Sequence, residues 1–134
     1  GEKSDPEYEK WFQIVYDARE DARQFIQARL DAGEKVRGYE VDRRLKERFE
    51  QLGCAQYLMH RTGHNIGHRC HGIGANLDDY ETHDDRCLLP GTMFSIEPGL
   101  YTDKYGVRLE YDVHITSEGE TKVYGPVQDE ILVI

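Results

Sequence analysis

The sequence lacks any apolar segment long enough to cross a membrane. Hydrophobic residues make up 38% of its 134 residues, and charged residues interrupt them throughout, whereas a spanning helix requires about 20 consecutive apolar residues. Its beginning also lacks the basic and then apolar stretches that are typical of a secretion signal. We therefore expect a protein that resides in the cytoplasm and has no membrane partner.

Cysteine is too scarce and too widely spaced to build a disulfide framework. The three cysteines, Cys54, Cys70 and Cys87, form an odd set that contains no C-x-x-C pair. Small disulfide-stabilised domains have an even number of cysteines at closer spacing. We expect these residues to be reduced thiols.

Basic residues are the minority among the charged residues. Lys and Arg number 17 against 26 Asp and Glu, which gives a net charge of −9. The acidic residues occur throughout the chain and include a cluster from residue 78 to residue 85. Because such a surface repels other polyanions, neither a nucleic acid nor an anionic membrane is an expected partner.

The length predicts a single domain over residues 1–134. A chain of this size can bury roughly two thirds of its unfolded surface, which is enough for one core and not for two. The sequence also contains no internal repeat and no low-complexity tract.

The first part of the sequence predicts two amphipathic helices. The first is capped by Ser4 or Asp5 and ends at Gly33, and the second covers residues 39–52. The first helix has apolar residues at steps of three and four, namely Trp11, Ile14, Val15, Ala18, Ala22, Phe25, Ile26 and Leu30. These stripes could pack on a sheet or form a groove for a partner, and packing is the more common use.

Short strands are predicted after Gly53, because aromatic, β-branched and alternating residues lie there between Gly, Pro and Asp turns. The predicted strands cover residues 56–60, 92–96, 106–116 and 121–124. Two helices followed by short strands predict an α+β fold, with both helices packed on one face of a curved, mainly antiparallel sheet. The polar segment 76–86 is expected to form a loop at the mouth of a site.

Three residues in the second half have side chains that are typical of a metal site. His64 lies in T-G-H-N-I-G, Glu97 follows a strand in S-I-E-P-G, and Glu110 lies in V-R-L-E-Y-D-V. An imidazole and two carboxylates brought together by antiparallel strands supply three ligands for a divalent ion, which activates water in many hydrolases. The glycines beside His64 let the backbone approach closely and leave the ring accessible.

Each of these residues also has a simpler interpretation. His64 could form a hydrogen bond within a glycine turn, and Glu97 could accept hydrogen bonds from the turn that follows it. Glu110 shares one strand face with Arg108 and Asp112, and that charged face could be solvated. The four histidines between residues 60 and 71 do not predict a helical zinc motif, because glycines separate them and H-R-T-G-H lacks the glutamate of H-E-x-x-H.

The motifs H-R-T-G-H-N-I-G, L-P-G-T-M-F-S-I-E-P-G-L-Y and G-V-R-L-E-Y-D-V occur in this order. Together they resemble the Xaa-Pro dipeptidase and aminopeptidase P group of pita-bread metallopeptidases, from about Pro6 to the end. The resemblance implies half of a pita-bread fold and makes His64, Glu97 and Glu110 metal ligands. It also implies that five ligands in the full domain bind two ions of manganese, cobalt or zinc.

In this family the first two of the five ligands are aspartates on a hairpin upstream of the histidine. No strand-turn-strand pattern precedes His60, and the aspartates there lie in predicted helices or turns. The chain therefore resembles the C-terminal half of the catalytic domain, and we expect it to bind one ion weakly or none. The N-terminal half is an implied partner, and we also expect an apolar patch beside the cleft and self-association into a homodimer through it.

The resemblance also implies roles for other residues. His60 and His71 match histidines that line the cleft, help to bind the scissile carbonyl and stabilise the charge that develops on it. Glu97 would also help to move the proton of the attacking water, and Arg108 would contact the substrate or support a ligand. The remaining histidines, expected to be structural or at the surface, are His68, His83 and His114.

The implied activity is hydrolysis of Xaa-Pro bonds in proline-containing peptides, weak or absent in this isolated half. Two alternatives are a non-catalytic pita-bread module that binds peptides or proteins, and a creatinase-like amidinohydrolase that needs no metal. Both would be expected to lose the ligands, so the retained histidine and glutamates favour the peptidase.

Overall fold

The computed structural model describes residues 5–67, 74–125 and 127–131 of the chain. The predictions for Ser4, His68, Cys70 and His71 lie outside these residues. The helices and strands, in chain order, are α1 (Pro6–Asp31), α2 (Gly38–Gln51), a short 3₁₀ helix (Ala55–Tyr57), β1 (Asn65–Ile66), β2 (Met93–Ile96), β3 (Gly99–Tyr101), β4 (Gly106–Arg108), β5 (Tyr111–Ile115) and β6 (Thr121–Tyr124).

Both predicted helices form, and their bounds agree closely with the sequence pattern. The Asp5 side chain caps α1 by accepting a hydrogen bond from the backbone N–H of Glu7 at 2.8 Å. Gly33, with a φ of 72°, ends the helix in a conformation that favours glycine. Neither described helix is apolar enough to lie across a membrane.

The strands form one sheet of four strands and one of two strands. The larger sheet has the order β1-β2-β5-β6 and the smaller one joins β3 to β4, and all pairs are antiparallel. Phe94, Ile96, Val113 and Ile115 are fully buried and belong to the same core as the apolar faces of α1 and α2. The two-helix, antiparallel α+β layer predicted from the sequence is confirmed.

The strand predictions were wrong in two places. Residues 55–57 form a 3₁₀ turn, in which Tyr57 N–H donates to the carbonyl of Cys54 at 3.1 Å, and 58–60 form no strand. The predicted strand 106–116 is divided, because Leu109 N–H donates to the carbonyl of Pro98 and the chain passes from the small sheet to the large one there. Side chains still alternate across this break, with Val107, Leu109 and Tyr111 buried.

One buried residue of α1 departs from the expected apolar stripe. The Arg19 side chain is fully buried and its guanidinium lies 5.0 Å from the ring of Tyr16 and 4.5 Å from that of Tyr111. It also donates a hydrogen bond to the carbonyl of Gln128 at 3.1 Å. Cation–π contact with the two rings stabilises a charge that periodicity alone would place in solvent.

Both cysteines that the structure describes are free. Cys54 is buried and Cys87 is half-buried, and neither forms a disulfide. This agrees with reduced thiols at these two positions.

Candidate metal site

Residues 62–64 lie alongside the end of β2 and bring two of the candidate ligands together. The backbone N–H of Glu97 donates to the carbonyl of Thr62 at 2.7 Å, and that of Ser95 donates to the carbonyl of His64 at 2.9 Å. The hydroxyl of Ser95 in turn accepts from the backbone N–H of His64 at 3.0 Å. His64 and Glu97 therefore extend from two adjacent, hydrogen-bonded segments.

This close pairing requires glycine at position 63. A Cβ atom there would overlap the carbonyl oxygen of Ser95, so no larger residue fits without moving the backbone. On its other side Gly63 exchanges two backbone hydrogen bonds with Leu77. Glycine before His64 thus lets the backbone of residues 62–64 pack closely against β2. Hydrogen bonds to Leu77 fix the other side of this segment.

Glu110 reaches the site because the chain bends between β4 and β5. Arg108 is the last residue of β4 and pairs with Gly99, whereas Tyr111 begins β5 and pairs with Ile96. Glu110 lies at the junction between the two sheets and is exposed on the face opposite the buried Leu109 and Tyr111. The bend thereby carries this carboxylate to the end of β2, where Glu97 lies.

The candidate ligand atoms of His64, Glu97 and Glu110 all lie within 4.8 Å of one another. His64 Nε2 and Glu97 Oε2 are 3.9 Å apart, and their side chains are only 12% and 16% exposed. Two ligands bound to one ion at about 2.1 Å each cannot be more than roughly 4.2 Å apart, so this pair already has a spacing that suits a shared ion.

A chain of hydrogen bonds from the 76–86 loop orients the His64 ring. The ring Nδ1 lies 3.0 Å from the carbonyl oxygen of Asn65, and the N–H of Asn65 donates to Asn76 Oδ1 at 2.7 Å. Asn76 N–H donates to Asp84 at 2.8 Å, and hydrogen bonds from Arg86 lower the pKa of Asp84 to about 2. A neutral ring that donates from Nδ1 presents the lone pair of Nε2 on the side of Glu97.

The two carboxyl groups perturb each other strongly. A hydrogen bond with Glu97, together with burial and the negative charge of Glu97, raises the pKa of Glu110 to about 7. The positive charge of Arg108 acts in the opposite direction. A divalent cation between the carboxylates would remove their repulsion, and one nitrogen with two oxygens is a donor set that several divalent metals accept. The residues present therefore fit a metal ion.

The site opens into a cleft of about 340 Å³. His64, Glu110, Asp112 and Tyr124 are among the side chains that line it. Burial and the charge of Glu110 raise the pKa of Asp112 above its usual value. The lining of the cleft thus combines two carboxyl groups with the imidazole of His64 and the ring of Tyr124.

Among the other residues predicted for the site, His60 and Arg108 are described and are not among the residues that line this cleft. His60 packs over Gly99, with Nε2 2.8 Å from the hydroxyl of Tyr101 and Nδ1 2.7 Å from the carbonyl of Arg61. Arg108 is exposed, and its positive charge acts to lower the pKa of Glu110. His71 lies outside the described residues.

The two described histidines that were expected to be structural or at the surface lie elsewhere. His83 is exposed and stacks on Tyr39, while His114 is half-buried beside Tyr124.

Comparisons with known proteins establish the family. The model of metallopeptidase family M24 matches residues 1–117. This chain belongs to family M24. The match includes all three candidate ligands.

Individual M24 relatives agree with this assignment. A probable dipeptidase, PepE, of Mycobacterium tuberculosis is 36% identical over 90 residues, which cover 66% of this chain and 23% of that protein. An Xaa-Pro dipeptidase of Lactobacillus helveticus is 32% identical over 102 residues, or 72% of this chain and 26% of that protein. The crystal structure of a dipeptidase from Pyrococcus horikoshii OT3 superposes with a TM-score of 0.80 and 28% identity, over 98% of this chain and 34% of that one.

These comparisons also bear on the fold and on the extent of the chain. The described helices and strands match pita-bread peptidases over nearly the whole chain, so the predicted half of a pita-bread fold is confirmed. The chain spans about a quarter of the length of these curated relatives and about a third of the solved structure.

Several residues that support this candidate site were not predicted from the sequence. Ser95, Asn65 and Asn76 act through backbone contacts that no local pattern indicates. Asp42 could have been found, because it lies three residues before Leu45 and seven before Phe49, on the buried stripe of α2. A carboxylate on an apolar helix face is a signal of a specific polar contact.

Replacing Glu97 with Gln should lower the pKa of Glu110 from about 7 toward the usual value for a glutamate, since the like charge is removed. Carboxyl ¹³C NMR titration without divalent metal measures this pKa. The control Glu118→Gln changes an exposed carboxylate on the turn before β6 and should leave it unchanged. A Glu110 pKa that stays near 7 in Glu97→Gln would contradict the proposed pairing of the two carboxyls.

Proposed function

We propose that this chain supplies three ligands of a metallopeptidase site that hydrolyses Xaa-Pro peptide bonds. The main support is the convergence of His64, Glu97 and Glu110 within 4.8 Å, in a chain of family M24. A protein named Xaa-Pro dipeptidase among the relatives supports the choice of substrate.

In this proposal His64 Nε2 and the carboxylates of Glu97 and Glu110 hold the metal. The bound metal would act as a Lewis acid that makes water a stronger nucleophile and polarises the scissile carbonyl. Glu97 accepts the proton of the attacking water, a role that suits a carboxylate beside both His64 and Glu110. His60 and, by resemblance, His71 bind the carbonyl oxygen, and the exposed guanidinium of Arg108 pairs with a carboxylate of the peptide.

We further propose that residues 1–134 are the C-terminal part of a pita-bread catalytic domain. The chain covers 34% of the P. horikoshii dipeptidase, which supports this assignment. The N-terminal half would be the partner that completes the ligand set for two ions of manganese, cobalt or zinc. Alone, the chain would bind one ion weakly or none. Cytoplasmic location and homodimer formation stay predictions, and sedimentation at several concentrations tests the second.

Titration of the chain with Mn²⁺, Co²⁺ and Zn²⁺ in a calorimeter should show at most one weak site. Glu110→Gln should weaken binding by at least about tenfold, because affinity depends on the number of charged ligands, whereas Glu118→Gln should not change it. Protons compete for Glu110 below its pKa of about 7, so affinity should rise as the pH is raised through this value. Equal affinity in Glu110→Gln and the unmodified chain would exclude this ligand.

Hydrolysis of Gly-Pro with Mn²⁺ should be undetectable for the chain alone and appear when the N-terminal half of the catalytic domain is supplied. His64→Ala should then reduce kcat/KM by about a hundredfold or more, since a metal ligand is lost. Robust metal-dependent turnover by the monomeric chain would overturn the half-site proposal. Metal binding without turnover in the completed domain would instead favour a non-catalytic binding module.

A further inference from the structure

A buried carboxylate of α2 binds the segment that carries His64 of the candidate metal site. Asp42 is 9% exposed and accepts three hydrogen bonds. Its Oδ1 accepts from the backbone N–H of Thr62 at 3.0 Å and from the Thr62 hydroxyl at 2.7 Å, and its Oδ2 accepts from the N–H of Asp79 at 2.6 Å. No Lys or Arg side chain in the described parts of the chain forms an ion pair with it.

Thr62 connects this carboxylate to both ligand-bearing segments. Its carbonyl accepts the N–H of Glu97 at 2.7 Å, while its own N–H and hydroxyl point to Asp42. Thr62 also lies two residues before His64, on the segment that pairs with Ser95. Asp42 is therefore linked through Thr62 to the backbone of Glu97, and through Thr62 and Gly63 to that of His64.

A carboxylate is the group that fits these donors. Both oxygens are used as acceptors, and a carboxamide would place an NH₂ group against the N–H of either Thr62 or Asp79. Burying a carboxylate among neutral donors without a cation is costly, and a leucine at this position of the helix would match the apolar stripe. Asp42 is thus better explained by its orienting effect on the backbone at Thr62 and Asp79 than by a contribution to the stability of the core.

We propose that Asp42 is a positioning residue for the metal site: through Thr62 it holds the His64 segment against the end of β2, so that the imidazole and the Glu97 carboxylate face the same point. This inference rests on the proposed metal site. Groups that orient metal ligands without contacting the ion typically change affinity by about 10- to 100-fold when they are replaced.

The experiment measures Co²⁺ affinity by calorimetry and the visible absorption spectrum of the Co²⁺-bound chain, next to the melting temperature without metal. Asp42→Asn should lower Co²⁺ affinity by about tenfold or more and alter the spectrum. Asp21→Asn is the matched control, because Asp21 is a helix carboxylate that accepts two hydrogen bonds from Arg44 away from the site. It should lower the melting temperature without changing affinity or spectrum.

A pair of variants at Thr62 tests the same link if Asp42→Asn does not fold. Thr62→Ser keeps the hydroxyl that donates to Asp42, and Thr62→Val removes it while keeping the shape. We expect weaker Co²⁺ binding in Thr62→Val than in Thr62→Ser.

The outcomes separate the two proposals. If the unmodified chain binds Co²⁺ and Asp42→Asn binds it with the same affinity and spectrum, Asp42 has no positioning role. Equal affinity in the two Thr62 variants leads to the same conclusion when Asp42→Asn is unfolded. If the unmodified chain binds no Co²⁺, the same variants are compared in the domain completed with its N-terminal half, and absence of Co²⁺ binding there refutes the metal site and the role of Asp42 with it.

Discussion

The pairing of residues 62–64 with the end of β2 is the interaction on which the site depends. Backbone hydrogen bonds join Thr62 to Glu97 and His64 to Ser95, and they exist because Gly63 has no side chain to separate the two segments. Without this contact the imidazole and the first carboxylate would belong to unrelated loops. Two further hydrogen bonds stabilise the pairing. Asp42 of α2 accepts from the N–H of Thr62, and Asn76 of the 76–86 loop accepts from the N–H of Asn65.

The electrostatics of the site follow from this geometry. Glu97 and Glu110 lie so close that a hydrogen bond with Glu97, partial burial and the charge of Glu97 raise the pKa of Glu110 to about 7. A raised pKa means that the protonated form stabilises the fold below the usual pKa of a glutamate, and this contribution is lost as the pH rises through about 7. In the folded chain the Glu110 carboxyl is therefore protonated in acid. Above neutral pH it is ionised and suits a divalent cation.

Periodicity in the sequence was sufficient to predict α1 and α2, because their apolar stripes are long and their ends are marked by Asp5 and Gly33. It failed for residues 56–60, where a short aromatic segment suits a turn as well as a strand, and it could not reveal the break at Leu109. The order of the motifs indicated which three side chains would lie together. The supporting contacts, such as that between Asp42 and Thr62, join residues 20 positions apart, and local patterns do not encode them.

The most direct test of the central claim is a crystal structure of the chain soaked with Zn²⁺, with anomalous diffraction recorded at the zinc edge. We expect one anomalous peak about 2.0–2.2 Å from His64 Nε2 and from an oxygen of Glu97 and of Glu110. A peak that lies elsewhere, or a His64 ring turned away from both carboxylates in a zinc-bound crystal, would contradict it.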